Sequence, residues 1–458
     1  MEAWGQQDFS KCAKDLSEKY KMRCFVLLAL SFGTLLGSDN VVGGSFQAVE
    51  EWLKRHASAP VDGIVEGTYN REKLDEFSNY IPPGFVSVFD FNELEIKLVA
   101  TRTYRKHSSF DKATEKFAGQ AKLQKDGQLI NYSAGQPFAR VQIRESQPDT
   151  AGTMIAWNNV HRWQHYGYKV ENALAYIRPA EHHSSRNLLK GMEGGGDVFR
   201  SVTMFYQRVY LSGLAGEADN NYRLDADGSD RYLYKEYMEM YSPFDMAGMK
   251  FVLERPVDQK QGDQINSYLP TERRVRRLSA KERADSYIGT NWTFDDFEGW
   301  SGLVIDNIWK LLGEKVVPHV LNSEHDSPRF HGPMSTVPKD RWQLRSCYVV
   351  EAIPKWEGHP YSRRIIFVDK ENFSIPVTLA FNRDEVLWKI FITIYQKDSD
   401  GPEPTVSQSL PRWRASVAFN LIDGSATVSP AMGPTDFPEV KASTVRKLFS
   451  VSNLTGGR

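Results

Sequence analysis

The chain has 458 residues, 41% of them hydrophobic, and its 57 Lys and Arg against 58 Asp and Glu leave a formal net charge of −1. That length and apolar fraction suffice for a sizeable core. The balanced charge excludes a whole-protein attraction to nucleic acid or to an anionic membrane, so any basic cluster must act locally.

At the N-terminus, Met22-Arg23-Cys24 leads into the apolar run Phe25 to Leu36, and small or turn-forming residues follow (Gly37, Ser38, Gly43, Gly44, Ser45). A basic flank, a short apolar stretch and a small-residue tail describe a secretory signal peptide. The run is too short to span a bilayer, which takes about 20 residues. A buried core helix is the alternative, opposed by the lack of any polar face so near the terminus. Met22 is an alternative start to Met1. Cys12 and Cys24 fall in or before this segment, so the exported chain keeps Cys347 alone, without a disulfide or a thiolate metal site. No cysteine directly follows the apolar run to carry a lipid anchor. The expectation is a soluble periplasmic protein, with residues 1–45 as upstream segment and signal and 46–458 as a single β-rich domain.

Phe46 to Arg55 places Phe46, Val49, Trp52 and Leu53 at helical spacing. Leu74 to Tyr80 is a weaker helix, stopped by Pro82-Pro83-Gly84, and Phe110 to Phe117 is a third. Strands dominate from there. Phe199 to Leu211 is rich in β-branched and aromatic residues. Tyr232 to Tyr241 alternates, with Tyr232, Tyr234, Glu236, Met238 and Met240 on one face, and Met249 to Arg255 returns after a turn at Asp245 to Gly248. Ile265 to Leu278 reads as one further strand. Trp342 to Ile353, Tyr361 to Asp369, Ile375 to Asn382 and Val386 to Tyr395 are joined by short polar turns, which predicts an antiparallel meander. In the last of these, Trp388, Ile390, Ile392 and Ile394 should share one face. Phe419 to Val428 adds a hairpin around Asp423-Gly424. The fold class is therefore mainly β (α+β), a large antiparallel sheet with a few short helices and no βαβ alternation.

Signals for chemistry are weak. Glu181-His182-His183 lacks zinc-type spacing, and Asp225, Asp227 and Asp230 lack the closing glutamate of a calcium loop. Gly194-Gly195-Gly196 has no Lys-Ser/Thr after it, and no nucleophile-elbow, zincin or Walker pattern occurs. The sequence asks for no catalytic residue, metal or cofactor, and no nucleic-acid partner.

The most distinctive segment is Glu272 to Gly299. Arg273, Arg274, Arg276 and Arg277 surround Val275, a polar stretch follows, and then comes the aromatic and acidic run Trp292 to Phe297. The arginines have three readings: pairing with Asp285, Asp295, Asp296 or Glu298 across the turn, binding an anionic ligand head, or docking on an acidic partner.

RRVRRLSAKERADSYIGTNWTFDDF resembles the pattern of the periplasmic outer-membrane lipoprotein-sorting-like (LolA/LolB-like) proteins, in their larger branch of unknown function. So do YVVEAIPK and YSRRIIFVDKENFSIPVTLAFNRDEVLWK, in the match over Cys347 to Trp388. Weaker matches are Ala118 to Leu123, Gly135 to Phe138 and Ala156-Trp157-Asn158, and the whole resemblance covers roughly residues 89–395. It implies a curled antiparallel sheet or incomplete β-barrel with helices on its open side. Its apolar face would hold a lipid or acyl chain, without catalysis. The implied partners are a hydrophobic small molecule, lipid or lipoprotein and components of outer- or inner-membrane transport. The alternative is a structural or assembly partner of an outer-membrane or efflux complex. The corresponding site places Arg274 and Arg277 near the rim of a cavity that Phe297 and Trp300 help to close. Alternation sends the two arginines to opposite faces unless a bulge intervenes, so one of them should reach the ligand.

Overall fold

The computed structural model describes residues 44–55, 66–179, 191–279, 281–397 and 401–455. The apolar run Phe25 to Leu36 and the Glu181-His182-His183 triplet lie outside these residues. A 15-stranded sheet dominates. In chain order its strands are β1 (Gly67–Tyr69), β2 (Ile96–Leu98), β3 (Lys169–Arg178), β4 (Asp197–Tyr210), β5 (Tyr232–Ser242), β6 (Lys250–Pro256), β7 (Gln264–Leu269), β8 (Arg274–Leu278), β9 (Asn307–His319), β10 (Arg341–Pro354), β11 (Arg363–Asp369), β12 (Val377–Phe381), β13 (Leu387–Gln396), β14 (Arg412–Asn420) and β15 (Ala426–Pro430). Their spatial order is β1-β2-β10-β11-β12-β13-β14-β15-β3-β4-β5-β6-β7-β8, and β9 also pairs with β10. The sheet thus consists of two meanders, β3–β8 and β10–β15, joined where β15 meets β3 at Ala426↔Ile177 and Val428↔Ala175. Its terminal strands do not pair with each other, so it does not close into a barrel. Neighbours are antiparallel except β2 and β10, whose parallel contact at Lys97 and Arg341 makes the sheet mixed, not purely antiparallel as the sequence suggested.

Side chains at the turns explain why the second meander reads so clearly. The Asp369 carboxylate accepts from the Glu371 and Asn372 amides at 2.8 and 3.1 Å, and the Asn382 amide oxygen accepts from Asp384 and Val386 at 3.0 Å each. Such contacts let a short polar turn satisfy its own backbone.

Two strand readings need correction. Ile265 to Leu278 is a hairpin, not one strand: β7 and β8 pair from Arg274↔Leu269 to Leu278↔Ile265. Pro270 offers no amide to a ladder and Arg273 takes φ +53, so the chain reverses between them. In β13, Ala380 pairs with Lys389 but Phe381 pairs with Leu387, which makes Trp388 the extra residue of a bulge. Ile390, Ile392 and Ile394 do share one core with Leu387, whereas Trp388 turns to the other face, its ring 5.6 Å from that of Tyr361. A one-residue insertion flips side-chain polarity, as the period of two requires.

Each face of the sheet buries its own core. On one, the helices Phe46–Arg55 and Phe85–Phe89 cover β10–β14. Phe85, Val88 and Phe89 are fully buried, and the Trp52 ring meets Phe367 at 6.1 Å. Burying one such side chain is worth about 1.5–3 kcal/mol. Gly84 opens the second helix at φ +93, and a Cβ there would lie 2.5 Å from Leu387 Cδ2, so only glycine lets the helix approach. The other face carries the helix Pro148–Val160 and the aromatic segment 281–304. That helix was not legible in the sequence because buried residues surround it, from Ala151 to Val160, with no apolar stripe to see. Its buried polar residues are occupied: Asn158 bonds both backbone groups of Phe138, and Asn159 donates to the Phe373 carbonyl at 2.7 Å. Among the described residues no helix is long and apolar enough to cross a membrane.

Candidate functional site

Residues 281–304 form a string of short 3-10 turns laid on the face of β3, β4, β5, β13 and β14. Its aromatic residues point inward. Trp292, Phe294 and Trp300 are buried, Tyr287 lies 5.0 Å from Phe294 and 5.3 Å from Phe297, and Trp300 meets Trp309 edge-on at 4.8 Å. Thr293 caps the turn that carries the acids, and Asp296 bonds back to the Thr293 amide at 2.8 Å.

Each acid of the run DDFE, Asp295-Asp296-Phe297-Glu298, answers a different buried arginine. Asp295 accepts from Arg283 Nε at 2.9 Å, and Asp263 ties Arg283 to Arg255, whose Nε donates to it at 3.0 Å. Asp296 accepts from Arg364 at 3.1 Å and from the Tyr361 hydroxyl at 2.9 Å. Glu298 gathers the largest set: Arg162, Arg208 at 3.1 Å, the Tyr168 hydroxyl at 2.8 Å and the Tyr395 hydroxyl at 3.3 Å. Arg208 is shared with Glu236, its direct cross-strand neighbour, at 2.8 Å, and Tyr206 donates to the same carboxylate at 2.9 Å. The Tyr234 ring lies between the guanidinium groups of Arg208 and Arg255, 4.8 and 5.2 Å away.

This burial shapes the ionisation. Desolvation pushes the Glu298 carboxyl upward, but Arg162 and Arg208 outweigh it and hold the pKa below its ordinary value. Asp295 is likewise held low, with Arg283 and Arg364 overcoming its burial. Lys389, which donates to the Asn291 carbonyl and to the Tyr361 hydroxyl, is lowered to about 8 by burial, with Asp296 opposing.

Between the segment and the sheet lies an apolar slot of about 50 Å³. Alternate residues of β3 and β4 form one wall (Val170, Asn172, Leu174; Met204, Tyr206, Arg208), with Met238 from β5 beside them. Tyr287, Trp292 and Phe297 form the opposite wall, and Arg208 and Glu298 also line it. A second cavity of about 20 Å³ shares Arg208 and Glu298 and is lined further by Arg162, Arg255 and Trp300. The Arg208–Glu298 pair is therefore the wall between an apolar and a cationic chamber. A larger open pocket of about 500 Å³, with Gln128, Tyr132, His161 and Lys260 in its wall, lies elsewhere. Among the described residues no group of three or more His, Cys, Asp or Glu is placed to hold a metal ion.

Of the residues singled out in the sequence, Phe297 lines the slot and Trp300 lines the second cavity. Arg274 and Arg277 lie elsewhere, exposed on β8 at the end of the sheet, and neither lines the two cavities. Arg274 pairs with Glu272 at 3.0 Å and Arg276 with Glu282 at 2.5 Å. Asp295, Asp296 and Glu298, offered as partners for that cluster, bond instead to Arg283, Arg364 and the Arg162–Arg208 pair. Sequence reasoning passed over Arg162, Tyr168, Arg208 and Glu236. A signal for the last two was present: one arginine inside the apolar strand FRSVTMFYQRVYL, and one glutamate on the face of Tyr234 and Met238.

The sequence model for a family described as "Protein of unknown function (DUF1329)" matches residues 68–455. No curated protein matches the chain. Among solved structures, a DUF1329 family protein from Desulfovibrio piger is 16% identical over 68% of this chain and 100% of its own, with a TM-score of 0.44. A domain from Vibrio parahaemolyticus described as a "putative outer membrane lipoprotein-sorting protein domain" is 15% identical over 66% of this chain and 97% of its own, at 0.43. A LolA superfamily protein from Nitrosomonas europaea is 11% identical over 65% and 97%, at 0.36.

Proposed function

We propose that this protein, which belongs to the DUF1329 family of proteins of unknown function, is a non-catalytic carrier of a hydrophobic ligand in the periplasm. The observation that carries the reading is the apolar slot between the sheet face and the aromatic segment, with Met204 and Met238 on one side and Trp292 and Phe297 on the other. Methionine adapts its shape to flexible apolar partners. Each methylene moved there from water gains about 0.8 kcal/mol. At about 50 Å³ the slot holds a few waters rather than an acyl chain, so the ligand takes the place of aromatic side chains of the segment instead of filling a ready hole. The cargo is a lipid, an acyl chain or the acyl part of a lipoprotein, and Phe297 and Trp300 are its proposed contacts. Export rests on the signal-like run Phe25 to Leu36.

A second reading, an assembly partner in an outer-membrane or efflux complex, draws on the same tight filling of the face. It also draws on the hairpin tip after β5, where Phe244 is 99% exposed. Two measurements separate them. Organic extraction of protein purified from the periplasm, followed by mass spectrometry, should release a stoichiometric lipid from a carrier. The neutral dye N-phenyl-1-naphthylamine should light up on binding, and Met204→Trp, which fills the slot, should abolish that signal. Lipid-free protein that ignores the dye defeats the carrier reading and leaves the assembly role.

A further inference from the structure

We infer that the ligand is an amphiphile with an anionic head, and that its carboxylate or phosphate takes the position now held by the Glu298 side chain. The inference rests on the carrier reading of the slot and adds the class of head group and the route of entry.

The donors around Glu298 form a built anion site. Arg162 follows the helix Pro148–Val160, Tyr168 precedes β3, Arg208 lies within β4 and Tyr395 within β13, so the donors come from four separately anchored elements. All four side chains are more than nine-tenths buried. The two arginines have other anchors besides Glu298: Glu236 holds Arg208, and Arg162 donates to the Asn159 carbonyl at 2.9 Å. The carboxylate, by contrast, arrives on the segment rather than the sheet.

Its backbone is poorly suited to stay there. Glu298 takes φ +52 and Gly299 φ +87, two successive residues in the left-handed region, which a glutamate disfavours. Just upstream, Asp295 and Asp296 are fixed to Arg283 and Arg364. Exchange therefore requires turning only the corner Phe297–Gly299. Phe297 lines the slot, so the turn that withdraws the carboxylate also withdraws a ring and lengthens the apolar chamber.

Charge decides which head fits. Arg162 and Arg208 face Glu298 and Glu236, two positive charges against two negative, a net of zero. Withdrawing Glu298 leaves a buried excess of one positive charge, with Arg162 losing its only acidic partner among the described ion pairs. A monoanionic head restores the balance through the same donors, and a planar guanidinium can donate to either a carboxylate or a phosphate oxygen pair, although a phosphate monoester, at about −1.5 to −2 near pH 7, exceeds that balance. A neutral amphiphile leaves a buried charge unpaired, a strongly disfavoured state. The site thus favours anionic amphiphiles over neutral ones of equal chain length.

The test uses the purified full chain, with N-phenyl-1-naphthylamine as reporter and dodecanoate, dodecyl phosphate and dodecanol as competitors. In the parent protein the better anion should displace the dye at about tenfold lower concentration than dodecanol, the margin of one charged hydrogen bond. Whether dodecanoate or dodecyl phosphate leads identifies the head. Tyr168→Phe and Tyr395→Phe should each cut the preference for the anion over dodecanol about threefold, as the loss of one neutral donor does. Glu298→Gln, which frees the arginines from their internal competitor, should raise affinity for the anion about tenfold over the parent. Should that variant not fold, hydrogen exchange on the parent decides: the amides of Asp296–Ser301 should exchange faster with the anion bound and not with dodecanol. Equal displacement by all three competitors, or segment exchange indifferent to the anion, overturns the anionic-head inference and leaves the carrier reading standing. Absence of dye uptake by the parent overturns both.

Discussion

Arg208 is the most informative side chain to remove. It lies between Glu236 and Glu298 with 5% of its side chain exposed, and both carboxylates are below a tenth exposed. Arg208→Met keeps the length and apolar volume of the stem but strands the two acids unequally. Glu298 keeps Arg162 and the hydroxyls of Tyr168 and Tyr395, whereas among the described residues Glu236 keeps only the Tyr206 hydroxyl. Breaking a buried pair from one side costs about 3–5 kcal/mol, and the Glu236 carboxylate accounts for most of it here. The double variant Arg208→Met/Glu236→Gln removes the stranded charge, and replacing both ends of a buried pair is often nearly neutral. Urea unfolding followed by tryptophan fluorescence, run as a double-mutant cycle, should give a single-variant loss in that range and recovery of at least half in the double. Refutation is simple: a single-variant loss below about 1 kcal/mol, the scale of an exposed pair, would mean the network is solvated in solution. A double variant no better than the single would place the cost in lost packing around Tyr234 and not in charge.

Four further outcomes are expected. Lys389 binds its proton more weakly folded, at about 8, than unfolded, so between about pH 8 and 10 the unfolded state holds more protons and stability should rise with pH; calorimetry should find that rise flattened in Lys389→Met. The lowered carboxyls of Glu298 and Asp295 have the opposite sense. Their contribution is complete above the unfolded carboxyl range, about pH 4–5, and is lost as pH falls through their lower folded values, so Glu298→Gln should show a shallower acid limb in a melting-temperature series. Gly152→Ala should cost about 1–3 kcal/mol in chemical unfolding, because its Cβ would sit 2.7 Å from the Lys310 backbone nitrogen of β9. Arg274→Ala should change stability by less than about 0.5 kcal/mol and leave dye uptake as in the parent, since its side chain is 75% exposed.

Much of the architecture could be read from residues whose neighbours in sequence are also their neighbours in space. The meander from Trp342 to Tyr395 is one case, its turns made by Asp369 and Asn382 within a few positions of themselves. The helix Phe46–Arg55, with its one-sided Val49 and Trp52, is another. What stayed hidden depends on distant partners. The helix Pro148–Val160 carries Asn158 and Asn159 into the interior because Phe138 and Phe373 meet them there, and no local pattern announces that. The site was half legible for the same reason. The run Trp292 to Phe297 stood out by composition, and its Trp292 and Phe297 do line the slot. Its acids seemed to belong with Arg273–Arg277 because those are close in the chain, yet the turn at Pro270 to Arg273 carries that cluster to the last strand. The actual partners are Arg283, only twelve residues from Asp295, and the distant Arg162, Arg208 and Arg364.

The seam between β15 and β3 has a consequence for how the molecule is made. β3 is the first long strand to be synthesised, and one of its edges is satisfied by the last strand of the described residues. Loop-closure entropy delays such a pairing until the intervening residues are ordered, which makes folding slow. Until then β3 presents Ala173, Ala175 and Ile177 on an unpaired edge, the kind of template on which chains aggregate. A chain that closes late stays threadable for as long as it is being moved, as the proposed export would require. The same delay leaves any molecule truncated before Ala426 with an open edge down the middle of its sheet.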